Sequence, residues 1–117
     1  MDTKPVIMII EDEELLLEAI SKKLKLSNME AITCANGRQA LDYLESLGKK
    51  PDAIWLDYYL GDMDGIDFME KLRDKKQFAK IPVVCLTVLS SDEDIERCKK
   101  LGAVEYLVKN EVTPQTV

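Results

Sequence analysis

The chain has 117 residues, 46% hydrophobic and 32% charged, which suits one compact core, is too short for two domains of usual size, and lies far from disordered compositions. Its formal net charge of -6 repels phosphate backbones, so direct nucleic-acid binding is not expected. There is no histidine, which removes Ser-His and Cys-His nucleophiles and histidine metal ligands and leaves carboxylate, hydroxyl and amine to carry any chemistry.

The opening MDTKPVIMII lacks a basic region and a small-residue cleavage site, and no apolar run approaches the roughly 20 residues of a membrane span. A cytoplasmic protein with no membrane contact is expected. PVIMII at 5–10 reads as a first strand, and Leu16, Ile20 and Leu24 at four-residue steps give the helix after it one apolar face. EAITCA at 30–35 is a second strand; Asn36 is placed to cap a second helix with Leu41, Leu44 and Leu47 on its inner stripe. AIWL then leads into Asp57 as a third strand, followed by a helix carrying Met69 and Leu72. Pro82 opens PVVCLT at 82–87, a place where its missing N–H costs little. Ser90 and Glu93 have capping-box spacing for a fourth helix with Ile95, Cys98 and Leu101 on one face, and Gly102 fits just past its end. VEYLV at 104–108 is the fifth strand. Thr113 and Pro114 read as N-cap and first position of a fifth helix that has about one turn before Val117. Cys34, Cys85 and Cys98 are odd in number and widely spaced, which suggests core thiols rather than a disulfide framework or a zinc site.

Apolar strands alternating with amphipathic helices predict an α/β fold over residues 1–117, a doubly wound, flavodoxin-like sheet of five parallel strands. The order 2-1-3-4-5 is the commonest choice for a chain of this size. The three strands richest in apolar residues should be buried on both faces. With the fifth helix truncated or missing, apolar surface beside strands three to five should be bared. A homodimer is then expected, or lower stability than a form longer by about 10 residues.

In such a sheet ligands sit beyond the carboxyl ends of the strands. The first strand ends in Glu11 and Asp12, the third in Asp57, the fourth in Thr87 and the fifth in Lys109. Three carboxylates brought together repel one another unless a cation neutralises them, and an oxygen-only donor set suits Mg²⁺, with Mn²⁺ as the alternative. Lys109 can pair with a phosphoryl oxygen as a point charge and Thr87 can donate to another. Each residue also has a bland reading. EDEE at 11–14 complements a helix dipole, Asp57 precedes a turn, Thr87 is an ordinary strand residue and Lys109 a solvated one. Their coincidence at the strand ends favours a site.

The segments IIEDEE, PDAIWLDYYLGDMDG, IPVVCLT and GAVEYLVK resemble the signature regions of receiver domains of bacterial two-component response regulators, CheY-like, in that family's order and spacing. The likeness spans the chain up to about Lys109 and implies a single receiver domain over 1–117. It implies Glu11 and Asp12 as the acidic pair at the metal, Asp57 as phosphoacceptor, Thr87 as switch hydroxyl and Lys109 as the phosphate-pairing lysine. It further implies the main-chain carbonyl of Tyr59 as a metal ligand and Tyr106 as the aromatic switch. The sequence departs from the family in Glu11 for the usual Asp, Gly61 and Asn110 for prolines, and Val88 for a small residue. Gly61 should loosen the loop after the phosphoacceptor.

The implied activity is that of a phosphoacceptor signalling domain, not a turnover enzyme. Asp57 attacks a phosphohistidine of a sensor histidine kinase or phosphotransfer protein, and the phosphorylated form addresses a downstream protein target or a C-terminal output domain. Tyr59 and Leu89 fall two residues beyond the phosphoacceptor and the switch threonine, where they flank the approach of a hydrolytic water; slow self-dephosphorylation is expected. An aspartate-nucleophile phosphatase would need a second acid where Tyr59 stands. A flavodoxin-like cofactor binder would need a hydroxyl- and glycine-rich loop where EDEE stands. A receiver-like module without phosphate dependence would not need Asp57, Thr87 and Lys109 together.

Overall fold

The computed structural model describes residues 4–47, 50–57, 60–87 and 92–108. In chain order these form β1 (Val6–Ile10), α1 (Glu14–Leu26), β2 (Glu30–Cys34), α2 (Gly37–Leu47), β3 (Ala53–Asp57), α3 (Gly65–Arg73), a 3-10 turn (Lys76–Phe78), β4 (Val83–Thr87), α4 (Asp92–Lys100) and β5 (Ala103–Val108). The five strands pair in parallel in the order β2-β1-β3-β4-β5. The fold is therefore the expected doubly wound α/β sheet. Thr113, Pro114 and the expected fifth helix lie outside the described residues, as does Ser90.

The strand order places the helices. The first crossover runs outward from β1 to β2 and the later ones run the opposite way, so right-handed connections put α1 on one face and α2, α3 and α4 on the other. The core follows that division. Met8, Ile10, Cys34, Ile54, Leu56, Val83 and Cys85 point from the strands into one cluster with Ala40, Leu41 and Leu44 of α2, Met69 and Leu72 of α3, and Cys98 of α4. Phe68 and Phe78 are also buried there, each stabilising the fold by about 1.5–3 kcal/mol through the apolar area removed from water. On the α1 face Ile9, Ile20 and Leu86 are buried, whereas Ile7, Ala53, Trp55 and Val84 are half-buried. The expectation of strands buried on both faces thus holds for the helix-rich side and only partly for the other.

The helix ends match the sequence punctuation where they are described. Gln39 N–H donates to Asn36 Oδ1 at 2.8 Å, and Ala35 N–H donates to Gln39 Oε1 at 2.7 Å, a reciprocal cap that starts α2. Asp64 caps α3 by accepting from Asp67 N–H at 2.8 Å. Gly102, at φ +94, ends α4 with its N–H on Lys99 O at 3.0 Å. The three cysteines are buried thiols, none of them in a disulfide. Burial pushes the Cys34 thiol up to about 11; a hydrogen bond to Cys98 and burial raise Cys85 as well. These are inert core thiols.

Candidate functional site

The carboxyl ends of β1 and β3 lie side by side, with Ile10 paired to Leu56. Each strand runs out of apolar residues at that edge, and the next position is acidic. Glu11 extends the β1 ladder by one bond, its N–H donating to Cys34 O at 3.0 Å. Its Oε2 accepts from Glu13 N–H at 2.9 Å, which fixes the carboxylate at the entrance to α1. Asp57 closes β3 opposite Leu86 of β4. Glu11 is fully buried and Asp57 is 4% exposed, whereas Asp12 is exposed.

These three carboxylates offer oxygens that all lie within 4.8 Å of one another. An octahedral Mg²⁺ with ligands at 2.0–2.1 Å spaces its oxygens by about 3 to 4 Å, so a small closure of the cluster fits the ion. Two of the acids are buried, where like charges are costly. A hard divalent cation would offset that cost, and the all-oxygen donor set fits such a group.

The backbone of Thr87 is the last of β4 and pairs with Val108, and the backbone of Tyr106 pairs with Cys85 in β5; their side chains lie outside the described part. Lys109, Tyr59 and Leu89 lie outside the described residues altogether. The structure therefore brings Glu11, Asp12 and Asp57 together and leads the ends of β4 and β5 to the same edge.

A model of the response regulator receiver domain matches residues 7–116. The chain belongs to the response regulator receiver family. It is 30% identical over 111 residues to the polar-differentiation response regulator DivK of Brucella anthropi, covering 95% of this chain and 89% of that protein. It is 33% identical over 103 residues to the alkaline phosphatase synthesis transcriptional regulatory protein PhoP of Bacillus subtilis, covering 88% of this chain and 41% of the longer regulator. The chemotaxis protein CheY4 of Vibrio cholerae superposes with a TM-score of 0.87 at 27% identity, over 97% of this chain and 92% of that one. This receiver is thus a CheY-like signalling domain of the two-component class. Among its described residues no helix is long and apolar enough to cross a membrane.

One residue at this edge escaped the sequence reading. Asp62, in the loop between β3 and α3, accepts from Gly37 N–H at 3.0 Å and from Arg38 N–H at 2.8 Å. A partner 25 residues away in the chain leaves no local signal for it.

Proposed function

We propose that this receiver accepts a phosphoryl group on Asp57 from a phosphohistidine of a sensor histidine kinase or phosphotransfer protein in the cytoplasm. The observation that carries this is the acid cluster of Glu11, Asp12 and Asp57, within 4.8 Å at the carboxyl edge of a receiver-family sheet. One carboxylate oxygen of Asp57 forms the new O–P bond as the N–P bond of the phosphohistidine breaks, and the imidazole leaves and takes up a proton. Glu11, Asp12, Asp57 and the Tyr59 carbonyl would hold Mg²⁺, or Mn²⁺, which supplies neutralisation of the incoming phosphoryl oxygens. Lys109 pairs with a phosphoryl oxygen and Thr87 donates to another; Tyr106 follows Thr87 inward and remodels the surface of α4 and β5 for a downstream protein target or a C-terminal output domain. Tyr59 and Leu89 hinder water in line with the phosphorus, which keeps hydrolysis slow; a Tyr59→Asn, Leu89→Glu double variant that lost its label no faster than the wild type would remove that role. A homodimer belongs to the same reading, supported by half-buried Ile7, Ala53, Trp55 and Val84 on one sheet face; a monomer by sedimentation across the working concentration range would argue against it.

The test is to incubate the chain with an acyl phosphate and weigh it. With Mg²⁺ the wild type should gain one phosphoryl mass, and in EDTA none. Asp57→Asn should gain none in either. Equal labelling of both proteins would refute the assignment.

A further inference from the structure

We infer that Asp62 is a positioning residue for the loop that leaves the phosphoacceptor, an inference that rests on the reading of Asp57 and Mg²⁺ above. Gly61 stands where this family carries proline, and the sequence alone predicts a slack loop. The structure shows it held from elsewhere. Gly61 takes φ +82, and apart from its own chain neighbours no heavy atom lies within 4 Å of where its Cβ would be, so neither proline geometry nor packing fixes the chain there. The next residue does so instead, because the two Asp62 oxygens take one backbone N–H each from Gly37 and Arg38 at 3.0 and 2.8 Å. Beside it Met63 presses on α2 so closely that a Cβ on Gly37 would meet its Sδ at 2.6 Å.

That helix does not need Asp62 in order to start. Asn36 and Gln39 already cap it reciprocally, at 2.8 and 2.7 Å. What the second cap adds is a fixed distance between the N-terminus of α2 and the loop. The fixed point is close to the site. Leu60 is 2% exposed, and its N–H donates to Met63 O at 3.1 Å, so the turn from 60 to 63 is one closed unit. Asp57 is held at the other side by its pairing in the sheet. Only residues 58 and 59 separate these anchors, and the Tyr59 carbonyl is the main-chain group proposed for the metal. The Asp62 carboxylate thus sets where that short bridge ends, and through it how ready the pocket is for its ion.

The experiment is calorimetric titration of the full chain with Mg²⁺, beside labelling by an acyl phosphate at saturating Mg²⁺. Asp62→Ala should weaken Mg²⁺ binding about tenfold, as loss of an outer partner commonly does, while its labelling rate at saturation stays within about twofold of wild type. Asp62→Asn, which keeps one acceptor oxygen, should recover part of the affinity. Asn36→Ala is the control, since it removes a cap from the same helix without touching the loop, and it should bind Mg²⁺ as the wild type does. Wild-type affinity in Asp62→Ala overturns the inference. So does an equal loss in Asn36→Ala, which would mean that helix stability alone is being read. Failure of the underlying reading looks different, as a wild type that shows no Mg²⁺-dependent labelling of Asp57, and it overturns both.

Discussion

At the amino end of the sheet Asp52 Oδ2 accepts from Val6 N–H at 2.7 Å, while Asp52 N–H returns a bond to Val6 O at the same distance. There too the Arg73 guanidinium donates to Leu101 O at 2.6 Å, Phe78 O at 3.0 Å and Gly102 O at 3.3 Å, joining the end of α3 to the 3-10 turn and the end of α4. At the carboxyl end Glu11, Asp12 and Asp57 instead crowd three acids within 4.8 Å. Donor matched to acceptor at one end lowers the energy of the fold. Like charge gathered at the other raises it, a cost that the proposed cation would offset.

The two ends should therefore separate under mutation. Arg73→Ala strips a donor from three carbonyls and should cost about 2–3 kcal/mol in urea unfolding, because the Leu101 and Phe78 carbonyls are left part-buried without their charged partner. Labelling of Asp57 per folded molecule should be unchanged. A variant of full stability with impaired labelling would show that the ends are coupled. A smaller effect of opposite sign is expected at the acid edge. In EDTA, Asp57→Asn should raise stability by about 1 kcal/mol, since it removes one of three mutually repelling charges. Mg²⁺ at ten times its Kd should stabilise the wild type by about 1.4 kcal/mol and the variant less. Thermal unfolding with and without the ion decides this, and wild type and Asp57→Asn responding alike would detach Asp57 from the ion.

The contrast also marks what the sequence could tell. The alternation of strands and helices, the cap at Asn36 and the turn at Gly102 rest on periodicity and on bonds within a few residues, which a linear reading captures, whereas the strand order came from the commonest topology for a chain of this size. The acid pocket was legible for a related reason: every strand of a parallel sheet ends at the same edge, so acids at strand ends must converge. Asp62 on Gly37, Arg73 on Leu101 and Asp52 on Val6 were not legible. Each joins residues 25 or more apart, and such pairings exist only once strands and helices have come together. The same holds beside Gly61, where the bonds of Asp62 to the start of α2 leave no trace in the local sequence.

The smallest expected effect sharpens the comparison at Asp62, a carboxylate at the acid end that is used as the amino-end groups are. Burial pushes its pKa up, but backbone hydrogen bonds from Arg38 and Gly37, with the Arg38 charge, more than offset this and hold the carboxyl below its ordinary value. A folded pKa below the unfolded one means that the folded state prefers the ionised form. Its contribution to stability is present above the unfolded value, about 3.9, and is lost as the pH falls through the folded value. The stability difference between wild type and Asp62→Asn should therefore be constant near neutrality and shrink as the pH drops from about 5 to about 3. Because the group is largely solvated, screening keeps that change to a few tenths of a kcal/mol. Urea midpoints of the two proteins across that range, in EDTA, provide the measurement. A difference that does not vary with pH would mean that the carboxylate acts through bond geometry alone, and that its charge plays no part in holding the loop to α2.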